Sequence, residues 1–193
     1  MRKLSLLLIA CIGVVSMLTI SSCNSNKNKT EEVANATLSV DELLEKAESL
    51  TDSTVTIEGL CTHTCSHGAK KLFLMGSDDT KTLRFEASEA IGAFSKDCVN
   101  AMVSLTGKVQ EERIDEAYLL KWEEGLKDKT AEKHGQEEEG GCETEKKAQN
   151  ETEANSEAER IANFRTRIAE EKAKTGKEYL SFYYIVADSY SIK

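Results

Sequence analysis

A mainly β domain with helical additions, built as a five-stranded barrel with a two-helix insertion between its fourth and fifth strands, is the fold class this chain predicts. Three observations carry that expectation. The segments Val55-Thr-Ile-Glu-Gly-Leu-Cys61 and Val103-Ser-Leu-Thr-Gly-Lys-Val109 repeat one pattern, apolar at every second position with a glycine inside the run, as strands bent at the corners of a small barrel require. Two shorter runs of period two, residues 71–76 and 81–87, stand between the copies, with Ser77-Asp78-Asp79-Thr80 as their turn. The most strand-prone run, Tyr179-Leu-Ser-Phe-Tyr-Tyr-Ile-Val-Ala187, comes at the end, after two helical patterns.

Taken in order, the chain begins with a basic pair, Arg2 and Lys3, and an uncharged apolar run from Leu4 to Ile20. This is the pattern of an export signal over residues 1–22. Ile20-Ser21-Ser22-Cys23 resembles the lipobox of bacterial lipoproteins. The resemblance implies cleavage before Cys23, acylation of that cysteine by palmitate or a similar chain, and a lipid-anchored location at the bacterial cell envelope, expected at the outer membrane. Each buried methylene would contribute about 0.8 kcal/mol to such an anchor. Residues 23–37 are polar and read as a flexible tether. Ser39-x-x-Glu42 is a capping box, and Val40, Leu43, Leu44, Ala47 and Leu50 share one helical face, so a short amphipathic helix should run from Val40 to Leu50 as a lid on the core.

The first barrel strand follows, and residues 38–111 are expected to hold this helix and strands one to four. Ser88 is placed to cap a short helical segment through Ile91 and Phe94, and the fourth strand should span residues 102–110. This order, with glycine-bearing first and fourth strands, resembles the OB-fold, a five-stranded Greek-key barrel. Residues 112–176 form the insertion, which is helical and acidic. Tyr118, Leu119, Trp122 and Leu126 mark one helix; Ser156-x-x-Glu159, with Ile161, Phe164 and Ile168, marks another that stops at Gly176. Residues 131–153 hold no aromatic side chain and read as a solvated connection. Residues 177–193 supply the final strand. Its lack of alternation is expected where both faces are covered, one by the barrel and one by the inserted helices.

Formal net charge is −9, and the signal holds Arg2 and Lys3 but no acid, so the mature chain carries 23 basic against 34 acidic residues. Nucleic acid is therefore not an expected partner, since its binding rests on neutralising phosphates. The expected partners are the membrane, through Cys23, and another envelope protein. Around Gly59-Leu-Cys-Thr-His-Thr-Cys-Ser-His-Gly-Ala-Lys-Lys-Leu-Phe-Leu, and again over residues 103–119, the chain is similar to a group of bacterial envelope lipoproteins with an OB-fold-like domain. That resemblance implies fold and location and carries no activity.

The chemistry-bearing stretch is Cys61-Thr-His63-Thr-Cys65-Ser-His67, four metal-binding residue types at every second position. Thiolate with imidazole suits Zn, Cu or Fe. A straight strand would place the outer two roughly 20 Å apart, whereas one ion needs ligands converging within bonds of about 2.0–2.3 Å. Either the stretch folds back as the first barrel loop or only neighbours share an ion. His63, Cys65 and His67 are the favoured trio, with Cys61 the fourth candidate. Two alternatives stand beside metal binding: a structural or redox disulfide between Cys61 and Cys65, in a compartment that permits one, and no chemistry, with Cys61 an apolar core residue like its counterpart Val109. Cys98 and Cys142 look unrelated to the motif. With only His63, His67 and His134 available, no Ser-His-Asp set can be proposed, and no phosphate-binding glycine loop is present, so an enzyme is the least expected class. A non-catalytic binding or scaffold module is the expectation.

Overall fold

The computed structural model describes residues 37–66, 68–131 and 143–193. The signal segment, Cys23, the tether up to residue 36, His67, His134 and Cys142 lie outside those residues. The elements are β1 (Thr37–Ser39), α1 (Val40–Leu50), β2 (Thr54–Thr64), β3 (Lys71–Met75), β4 (Thr82–Ala87), a 3-10 turn (Lys96–Cys98), β5 (Met102–Asp115), α2 (Glu116–Ala131), α3 (Glu143–Ala148), α4 (Glu157–Thr175) and β6 (Tyr179–Ile192).

Strands β2 to β6 close a barrel in the order β2-β3-β4-β6-β5, with β5 returning to β2. All neighbours are antiparallel except β4 and β6, which run parallel. The last strand therefore enters between the third and the fourth barrel strands, which is the OB-fold closure. β1 adds a short parallel pairing, Thr37 to Ser39 against Thr56 to Glu58, on the part of β2 that β3 does not reach.

The two copies of the glycine-bearing repeat pair with each other. Val55 stands opposite Gly107, Ile57 opposite Leu105, and Gly59 opposite Val103. Each glycine thus faces the other copy's valine, and both strands turn their apolar residues into one fully buried core. Gly107 has a further role. A bulge separates Thr106 from Gly107 in the pairing with β6, and a Cβ at Gly107 would lie 2.2 Å from the Val186 carbonyl oxygen. Only glycine lets the strands approach there.

α1 begins as its sequence dictates: the Ser39 hydroxyl accepts from the Glu42 amide, and the Glu42 carboxylate accepts from the Ser39 amide. Val40, Leu43, Ala47 and Leu50 are buried, the first, second and last of them within the barrel core, whereas Leu44 is exposed. The five apolar positions span a wider arc than the barrel covers. Two other expectations change. Ser88 caps no helix; its hydroxyl is buried without a hydrogen-bond partner, and a chain of turns ending in the 3-10 turn occupies that stretch. The fourth strand does not end near Gln110 but continues to Asp115, because β6 pairs with it along its whole length.

That extension forms a two-stranded ribbon beyond the barrel, and the insertion packs on it. Ile114 from β5, Leu119 from α2, and Ile161 and Phe164 from α4 form a second core, joined by Trp122, Leu126, Leu180 and Phe182. β6 serves the two cores in succession: Ile185 and Ala187 are buried in the barrel core, while Leu180 and Phe182 are partly buried against the inserted helices, and the rest of the strand is half-buried or exposed. Ser156 caps α4 and Gly176 ends it in the left-handed conformation. The solvated connection expected over residues 131–153 is only partly that. It contains α3, whose Glu145 is held against the barrel.

Candidate functional site on the first loop and outer sheet face

β2 delivers the Cys/His stretch, and a bulge divides it. Cys61 pairs with Leu74 and His63 with Phe73, adjacent residues of β3, so Thr62 is an extra residue on β2. One extra residue turns the following side chains to the opposite face of the sheet. Leu74 belongs to the barrel core, and Cys61 with it. His63 shares the outer face with Phe73, their rings 5.9 Å apart.

Cys61 is fully buried; its amide donates to the Ala101 carbonyl at 2.9 Å, and its carbonyl accepts from Asn100 at 2.8 Å. Burial, followed by the neighbouring Cys98 thiol, pushes the Cys61 thiol up to about 11. A thiol so held is protonated at neutral pH and is a poor ligand or nucleophile. Burial raises Cys98 as well. Cys65 is partly exposed at the end of β2, where its amide donates to Lys71 and its carbonyl accepts from Ala69. Gly68 and Ala69 both adopt positive φ, and the chain reverses there into β3. Cys61 and Cys65 are both free thiols, the first buried in the core and the second partly exposed just beyond the end of β2. His63 and Cys65 are two residues apart in sequence, about 6–7 Å at the rise of an extended chain, a spacing that two side chains can bridge to one ion. The described residues hold no ready-made group of three metal-ligating side chains; His67, the third member of the trio, lies outside them.

The outer face also carries residues outside the Cys/His stretch. Phe73 pairs with Arg84, and Arg84 with Tyr184, so His63, Phe73, Arg84 and Tyr184 form a row across four strands. The Arg84 guanidinium lies 4.5 Å from the Tyr184 ring centre. Arg84 donates to Glu112 and to Glu145, each at 2.8 Å, and Lys71 reaches the same Glu145 oxygen at 2.7 Å. Burial opposes the charge on Arg84, but Glu112, Glu86 and Glu145 outweigh it and its pKa is raised. Burial likewise opposes the charge on Glu145, and Lys71 and Arg84 overcome it, holding that carboxyl below its usual range. The signal for this row was available: Lys71, Phe73 and Arg84 occupy the outward positions of strands whose inward positions are all apolar.

The topology defines an OB-type barrel protein. No protein-family model matches the chain, and no curated protein matches it. Among solved structures it is similar to two aspartyl-tRNA synthetases. One, a putative enzyme from Leishmania major Friedlin, is 18% identical with a TM-score of 0.28, over 52% of this chain and 18% of that one. The other, from Entamoeba histolytica, is 14% identical with a TM-score of 0.32, over 90% of this chain and 43% of that one. The chain thus spans less than half the length of either.

Proposed function

We propose that the mature chain is a lipid-anchored protein of the bacterial envelope, held at the outer membrane through Cys23, whose OB barrel is a non-catalytic binding module for a transition metal ion. His63, Cys65 and His67 are the ligands. The observation that supports this reading is the bulge at Thr62, which turns His63, two residues before Cys65, out of the barrel core while leaving Cys61 in it. Two imidazoles and one thiolate suit Zn, Cu or Fe, and three protein ligands leave a position for a further ligand.

The test is elemental analysis of the mature chain bearing Cys23→Ser, after loading with Zn and, separately, with Cu and Fe. An ion should be retained through gel filtration, lost on His63→Ala or Cys65→Ser, and kept on Cys61→Ala. Retention indifferent to His63 and Cys65, or lost only with Cys61, would refute the assignment. Metabolic labelling with palmitate, compared between the native chain and Cys23→Ser, tests the anchor separately. Equal labelling of the two would remove it.

A further inference from the structure

We infer that Lys71 and Arg84 form a binding site for the carboxylate of an acidic peptide, and that Glu145 of α3 is its built-in occupant, displaced when a partner binds. The inference does not depend on the metal reading. Both cations converge on a single oxygen, Glu145 Oε1, at 2.7 Å from Lys71 and 2.8 Å from Arg84. This is how a bound ligand is gripped. Arg84 is itself 8% exposed, fixed by Tyr184 beneath its guanidinium and by Glu112 at 2.8 Å, so the site is rigid on the barrel side. Its buried Nε has no hydrogen-bond partner; Glu86 stands 3.5 Å away, beyond good geometry. A donor is therefore left unused by the present occupant.

The strap side is built differently. α3 is six residues long and fully buries none of them, although the Glu145 side chain is only 14% exposed; the helix is too short to persist on its own propensity. Its C-terminal end is pinned, because Glu151 accepts two hydrogen bonds from Arg160 at 2.7 Å. The segment can thus leave the barrel face without leaving the molecule. Charge selects the incoming ligand. With Glu145 removed, Lys71 and Arg84 face Glu86 and Glu112, two cations against two carboxylates, which leaves donors placed for one carboxylate and no excess positive charge to hold a polyphosphate. An acidic side chain or C-terminus of a protein partner fits; nucleic acid does not.

A peptide of residues 143–150, added in trans to the 15N-labelled mature chain, reads this directly through the amide shifts of Phe73, Arg84 and Tyr184. The peptide should bind Glu145→Ala at least about tenfold more tightly than the native chain, where the tethered strap competes at high effective concentration. Replacing its own Glu145 by Gln should abolish binding, as should Lys71→Met added to the Glu145→Ala chain. Equal affinity for the native and Glu145→Ala chains, equal binding of the Glu and Gln peptides, or no binding to Glu145→Ala would each overturn the proposal.

Discussion

At the scale of single residues, the barrel depends on where a side chain is missing. Gly107 lies at the bulge between β5 and β6, and an added Cβ would fall 2.6 Å from the Ala187 Cα as well as onto the Val186 oxygen. Backbone cannot swing aside as a long side chain can. Gly107→Ala should therefore lower stability by at least about 1–3 kcal/mol, the usual cost of overpacking, measured by urea denaturation. Gly59, its partner in the repeat, meets only Leu74 and Val40 side-chain atoms at 3.3 Å, so Gly59→Ala should cost less than Gly107→Ala. The same scale decides the candidate site. One extra residue at Thr62 separates Cys61 from His63, and no count of residue types or spacings contains that information.

Among elements, α1 is held to the barrel by a polar clasp as well as by its apolar face. Asp41 accepts from the Ser77 amide at 2.8 Å and from the Ser77 hydroxyl at 2.7 Å, and pairs with Lys81 at 2.5 Å. The Lys81 hydrogen bond, followed by the Ser77 hydroxyl, lowers the Asp41 carboxyl from 3.8 to about 2. The folded chain releases this proton more readily than the unfolded one, so the clasp stabilises the fold fully above the unperturbed value and loses its effect as pH falls towards 2. The gap in urea midpoint between the native chain and Asp41→Asn should be constant near neutral pH and shrink between about pH 4 and pH 2. A gap unchanged over that window would show that Asp41 does not act through its charge. Gly76 makes the clasp possible, since a Cβ there would sit 2.4 Å from the Asp41 carboxylate.

For the whole molecule, two cores share β5 and β6: one inside the barrel, the other between the ribbon and the inserted helices. Phe164 is central to the second, with Trp122 at 6.0 Å and Phe182 at 6.2 Å between ring centres. Phe164→Ala should cost about 3–5 kcal/mol and release α2 and α4 before the barrel. Hydrogen exchange would show this as lost protection in the helices with β2, β3 and β4 still protected. Loss of protection in all elements together would instead make the two cores one cooperative unit.

The sequence by itself determined the barrel, its strand order and the late fifth strand, because alternation, the paired glycine repeats and the aromatic β-branched run are local signals that the burial pattern obeys. It also determined the ends of α1 and α4, where Ser39, Ser156 and Gly176 act through neighbours three or four residues away. Tertiary structure decided what depends on distant partners: the continuation of β5 to Asp115, which β6 imposes; the bulge that turns His63 outward; and the meeting of Glu145 with Lys71 and Arg84 across more than sixty residues of chain. Local pattern reports which face of a strand is apolar. Which residue stands opposite, and whether the register slips by one, is settled only by strands packing against one another.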